Sequence, residues 1–193
     1  MTAAEASTAP AVDGPRRLAR TLEDLGGAVR SLGDARWSRR PDGRNWSPKE
    51  IVCHLRDVEE LFITRFMTML AMDEPKILAF SATPEDLAAW GIGGPIGHPL
   101  DPDRWAEERQ YLSNDGPKAL AAFDRRRRET LALLGGLSAA QWTRAGHHPT
   151  RGRSTIAEFA GALAAHDENH LAQLQRALRR TRLIARDEGR REP

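Results

Sequence analysis

Four stretches of this chain repeat apolar residues at intervals of three and four, and that spacing constrains the fold more than anything else in it. It puts the apolar side chains on one face of an α-helix, and each such face needs a partner to cover it. The first stretch, about residues 15 to 32, carries Leu18, Leu22, Leu25, Val29 and Leu32, with Gly33 as a stop. The second, about 48 to 72, carries Ile51, His54, Leu55, Val58, Leu61, Phe62 and Met69. Ser47 can cap it, Pro48 suits its first position, and Glu50 completes a Ser-x-x-Glu capping box. The third, about 117 to 135, opens on Pro117, closes on Gly135-Gly136 and aligns Leu120, Phe123, Arg127, Leu131 and Leu134. A short helical turn around Ser138 to Trp142 follows it. The fourth, about 156 to 180, starts from a second capping box, Thr155 with Glu158, and aligns Ile156, Phe159, Leu163, His166, His170 and Leu174.

Between the second and third stretches the pattern breaks. Residues 73 to 114 contain Pro75, Pro84, Pro95, Pro99 and Pro102 and the run GIGGPIG. This reads as a long crossover with short helices around 84 to 90 and 102 to 112; connections of that length often carry function. No β-strand is predicted. The expected fold is all-α: a four-helix bundle with a long crossover between helices 2 and 3. The 193 residues suit one domain, about 15 to 180, with a flexible tail over 1 to 14 and a charged, frayed tail from Thr181 onward.

Composition excludes some functions. A formal charge of +2 gives no drive toward nucleic acid. The run Arg125 to Arg128 is flanked by Asp124 and Glu129 with little aromatic interleaving, so it reads as a solvated face. No stretch approaches the ~20 apolar residues of a membrane span. The segment MTAAEASTAPAVDGP lacks the basic and apolar regions of a secretory signal, and Cys53 is the single cysteine. A cytoplasmic location is expected, with no membrane partner.

Three of the six histidines sit on the inward faces just described. His166 and His170 are four residues apart on one helix and point the same way. His54 is inside the apolar stripe of another. Buried alone, each would be an ordinary core histidine with one satisfied hydrogen bond. Together, they can share one divalent ion, which satisfies a nitrogen on each ring and leaves a coordination position open. Neutral imidazoles suit zinc, with nickel, iron or manganese as alternatives. Asp57, one turn after His54, and Asp167 are candidates to accept the other ring N–H; Glu168 reads as solvated. His98, His147 and His148 fall in polar loop sequence. Cys53 is rotated about 100° from His54 around the helix and reads as a packing residue.

Trp46-Ser47-Pro48-Lys49-Glu50-Ile51-Val52-Cys53-His54-Leu55, then Asp57 and Glu59, resemble the second-helix motif of the DinB-like superfamily. The resemblance continues through Ala119 to Leu134, where Phe123 and Arg127 fall at family-like positions. It ends at His148-Pro149 and His166-Asp167-Glu168-Asn169-His170-Leu171-Ala172-Gln173. It implies an up-down-down-up bundle, a divalent metal held by His54, His166 and His170, and a homodimer. Some members of that superfamily are thiol S-transferases using bacillithiol, mycothiol or glutathione, and a related group isomerises maleylpyruvate with mycothiol. The Gly91 to Pro99 stretch is longer than the resemblance leads one to expect.

Three neutral ligands leave the charge of a dication intact, which lowers the pKa of a water or a thiol that joins it. The first case is a hydrolase; the second is a low-molecular-weight-thiol S-transferase acting on small electrophiles. Arg127, in an apolar stripe, is the candidate anchor for a substrate carboxylate, or else an ion-pair partner of Asp57 or Glu59. Trp90 and Trp105 could wall a pocket; Trp46 and Trp142 read as packing at the bundle ends. The alternative to an enzyme is a non-catalytic, stress-linked dimeric bundle whose metal is structural.

Overall fold

The computed structural model describes residues 13–77, 102–149 and 151–188, with side chains as far as Arg182. The helix expected around 84 to 90, Trp90, His98 and the Gly91–Pro99 stretch lie outside the described residues. In chain order the elements are α1 (Gly14–Val29), α2 (Asp34–Ser38), α3 (Pro48–Ala71), α4 (Pro102–Glu108), a 3₁₀ turn (Tyr111–Ser113), α5 (Gly116–Gly135), α6 (Ala139–Trp142), β1 (Ala145–His148), β2 (Gly152–Thr155) and α7 (Ile156–Glu188).

Both expected capping boxes form. At α3 the Ser47 hydroxyl accepts from the Glu50 backbone N–H at 3.3 Å, and the Glu50 carboxylate accepts from the Ser47 N–H at 2.8 Å. At α7, Thr155 and Glu158 do the same at 3.2 and 2.7 Å. Three boundaries differ from expectation. The first helix ends at Val29, where the Arg30 N–H closes on the Gly26 carbonyl, and Gly33 instead caps the short α2. The last helix does not fray at Thr181 but runs to Glu188. No proline, and no glycine after Gly161, interrupts it, and the buried Thr181 hydroxyl bonds back to the Ala177 carbonyl at 3.1 Å.

The expectation of no strand is also corrected. β1 and β2 form an antiparallel hairpin, Ala145 opposite Thr155 and His148 opposite Gly152. The backbone around Pro75 extends it: Ile77 N–H donates to the His147 carbonyl, and His147 N–H to the Pro75 carbonyl, both at 2.8 Å. Gly146 permits this approach, since a Cβ there would stand 2.6 Å from Ile77.

The four long helices, α1, α3, α5 and α7, form the bundle, and residue pairs set their directions. Gly14 lies against Ala160 and Arg17 bonds Glu168, so α1 and α7 run the same way. Lys49 reaches the Leu112 carbonyl ahead of α5 while Glu59 meets Arg127 within it, so α3 and α5 run together. His54 meets His166 and Phe62 meets Phe159, so α3 and α7 run oppositely.

The apolar core is in two parts. One gathers Leu22, Leu25, Trp37, Cys53, Phe123 and Leu174. The other gathers Leu18, Phe62, Phe66, Leu134, Ile156 and Phe159. On α5 and α7 the buried Arg127 and Asp167 fall between them in sequence, and they belong to a buried polar layer.

Replacing Ser47 with Ala removes one half of the α3 box and leaves part of the buried Glu50 carboxylate without its donor. Stability should fall by about 1–2 kcal/mol, read as a lower urea midpoint at unchanged m-value. A midpoint equal to that of the wild type would show that the box does not hold the start of α3.

Candidate metal centre

The polar layer is an ion network that draws on all four helices. Arg127 of α5 is fully buried and donates to Glu59 of α3 and to Asp167 of α7, each at 2.5 Å. Its other terminal nitrogen donates to the Leu18 carbonyl of α1 at 3.0 Å. Burial alone would lower the pKa of the guanidinium; the charges of Asp167 and Glu59 outweigh that and raise it. Burial opposes ionisation of Asp167 too, yet Arg127 and then His166 bring its carboxyl below the ordinary value. The structure thus places Arg127 in an ion pair rather than on an open wall, and it is not an anchor presented to a substrate.

Asp167 has a second task. Its free oxygen lies 3.2 Å from His166 Nδ1, where a carboxylate can only accept, so the ring proton sits on Nδ1 and Nε2 keeps its lone pair. One turn on, the Gln173 carbonyl oxygen is 2.8 Å from His170 Nδ1 and orients that ring in the same way. The chain therefore presents Nε2 of both histidines, held from behind, as ligating histidines commonly are. Asp57 was the other expected acceptor, and the structure corrects this. It bonds Arg56 at 2.7 Å, Arg109 at 3.1 Å and the buried Tyr111 hydroxyl at 2.8 Å, because the 3₁₀ turn brings Tyr111 over it.

The three expected histidines come together. His54 Nε2 and His166 Nε2 are 3.2 Å apart, and one ligand atom from each of His54, His166 and His170 lies within 4.8 Å of the others. Two nitrogens about 2.0–2.1 Å from one tetrahedral ion would stand about 3.3–3.4 Å apart. The His54–His166 pair already has that spacing, and the wider spacings, within 4.8 Å, would close by up to about 1.5 Å by turning the rings to hold a divalent ion. Burial, then the neighbouring rings of His170 and His166, push His54 down to about 2. Burial, then His166, lower His170 to about 4. Both rings are uncharged at neutral pH, the form a metal requires.

The site has a lid on one side and an opening on another. His54 is buried, but His166 and His170 are only partly so. Trp46 stands over the cluster, its ring 5.0 Å from His54 and 6.2 Å from His170, nearly parallel to the latter at 8°. Reading Trp46 as end packing missed this contact. The available signal was its place just before the Ser47 cap, the position of a hydrophobic staple. Trp46 and His170 also line a groove of about 470 Å³. The remaining described histidines stay away: His147 bonds Glu74 at 3.1 Å, and His148 is buried in β1 with its ring 6.0 Å from that of Phe159. Cys53 is a packing residue as expected, and burial raises its thiol to about 11.

The sequence profile of the DinB superfamily matches residues 17–174, and the chain belongs to that family. Among solved structures, it is similar to YfiT from Bacillus subtilis, with 22% identity and a TM-score of 0.71. The alignment covers 94% of this chain and 93% of that one. YfiT is described as a probable metal-dependent hydrolase with an unusual four-helix bundle topology. No curated protein matches.

Two outcomes are expected. Unfolded histidine titrates near 6.5, above the folded values of His54 and His170, so below pH 6.5 the unfolded chain binds more protons. The stability of the metal-free protein should be full above pH 6.5 and decline as pH falls toward about 4, by about 1–2 kcal/mol per histidine at pH 5. Urea titrations between pH 8 and 5 measure it; a flat profile would contradict the buried placement. Separately, Arg127→Met leaves two carboxyl groups buried without their cation and should cost about 3–5 kcal/mol. A loss below about 1 kcal/mol would mean that the layer is not the central support described above.

Proposed function

We propose that this protein is a divalent-metal-dependent enzyme that acts on small molecules, with His54, His166 and His170 as the metal ligands. The observation that carries the reading is the cluster itself: three imidazoles, two oriented from behind by Asp167 and Gln173, on a partly open site beside a groove. When bound, a dication on three neutral ligands supplies Lewis acidity and lowers the pKa of a small nucleophile that joins it. The chain's own part is to hold the rings, to shield one side with Trp46, and to admit substrate along the groove past His170.

Two nucleophiles suit this arrangement. Water would make the protein a hydrolase, and the description of YfiT supports that reading. A low-molecular-weight thiol would make it an S-transferase toward small electrophiles. A groove of about 470 Å³, roomy enough for a ligand much larger than water, supports that second reading. Zinc is the first choice of metal, with nickel, iron and manganese as alternatives. A homodimer belongs to the same proposal on the family resemblance alone.

Metal analysis and turnover test it together. The wild-type protein should carry one divalent ion per chain, and His54→Ala should lose most of it. Activity against a panel of esters, amides and thiol–electrophile pairs should disappear with the ion while the helical signal remains. Unchanged metal content in His54→Ala would overturn the ligand assignment. Loss of the ion with unfolding, and no metal-dependent turnover by the wild type, would instead favour a non-catalytic bundle with a structural metal.

A further inference from the structure

The groove beside the histidines has a chemical character that the metal cluster does not explain. Its floor is α7, where Asn169, Gln173, Arg176 and Arg180 follow at spacings of four, three and four and so form one stripe. Its opposite wall is the segment before α3, including Asn45 and Trp46. His170 belongs to the same lining, at the metal end. Two arginines line the groove and no aspartate or glutamate does, among the described residues.

The two arginines differ. Arg180 is held by Asp42 at 3.0 Å. Asp42 is fixed in turn, because its oxygens accept from Asn45 and from the Arg44 N–H at 2.9 Å. Arg180 therefore has its charge answered by Asp42. Arg176 lies between this pair and His170 and, unlike Arg180, makes no ion pair with an acidic side chain among the described residues. Its guanidinium is the open positive charge of the groove. Six residues of helix separate it from His170, a rise of about 9 Å. The near-parallel Trp46 and His170 rings lie at the histidine end, so a ligand there meets flat ring surface first and a cation further on.

We propose that this groove is the binding site for the rest of the substrate or thiol, and that Arg176 selects ligands bearing an oxyanion, a carboxylate or phosphate, about one small-molecule length from the atom that meets the histidines. A guanidinium pairs with such groups through two parallel N–H donors. A groove of about 470 Å³ is in the size range of small-molecule sites. The inference rests on the proposed function, since it needs the histidines to hold a metal with a position open to a ligand.

Cobalt-substituted protein tests it without turnover. Thiolate binding to cobalt(II) gives a near-ultraviolet charge-transfer band, and mercaptohexanoate and mercaptohexanol differ only in the charged end. Titrated into the wild type, mercaptohexanoate should bind roughly tenfold more tightly than mercaptohexanol, the difference expected for one charge-assisted pair. Arg176→Gln should bring the two within about twofold of each other by weakening the acid alone, with mercaptohexanol and cobalt binding unchanged. Equal affinities in the wild type, or an Arg176→Gln variant that weakens both compounds alike, would overturn the role of Arg176. A cobalt-loaded protein that shows no thiolate band with either compound would overturn the open metal site itself, and this inference with it.

Discussion

One buried guanidinium organises this bundle. Arg127 takes a carboxylate from α3, a carboxylate from α7 and a backbone carbonyl from α1 while itself standing on α5. A single side chain thus bonds to the other three long helices. Apolar packing would hold the same helices side by side, but leucines and phenylalanines tolerate sliding and repacking that charges do not. Moving α3, α5 or α7 by one residue turns its charged side chain by about 100° and strands a buried charge, so the network fixes the register of those three helices. The core divides around it, with one apolar cluster on either side.

The same network reaches the candidate metal centre in a single step. Asp167 uses one oxygen to hold Arg127 and the other to hold His166, so the layer that sets the helix register also sets the orientation of the His166 ring. His54 follows from the same frame, because Glu59 locks α3 five residues further along. The histidines thus need no scaffold of their own. The resulting site combines a rigid inner side, where His54 is buried, with an outer side where His166 and His170 meet the groove.

Much of this was legible in the sequence because it is local. Helix periodicity needs only neighbours, and the boxes Ser47–Glu50 and Thr155–Glu158 span three residues each. His166 and His170 are a helical pair by arithmetic. The misses were relationships that arise between distant segments. The hairpin 145–148 with 152–155 is short and rich in glycine, histidine and arginine, and part of its pairing comes from the backbone near Pro75. Asp57 is one turn from His54 but is claimed by Tyr111, which nothing near residue 57 reveals. The five-residue α2 is too short to show a period. Arg127 was recognisable as anomalous in its apolar stripe; that it faces two acids rather than a ligand depends on helices 40 and 68 residues away.

The histidine pair that closes the centre spans 112 residues of chain. During synthesis His54 emerges early, and its partners arrive only with the last helix. Until then the first three long helices lack Asp167, so Arg127 has Glu59 as its one carboxylate of this network, and the cluster has a single imidazole. Loop closure of that length is slow relative to helix formation. The three-histidine cluster is therefore complete only once α7 is seated. A chain that lacks α7 has neither the full ion layer nor the ligands, so the presence of an ion at these histidines would report that the whole domain has been made and closed.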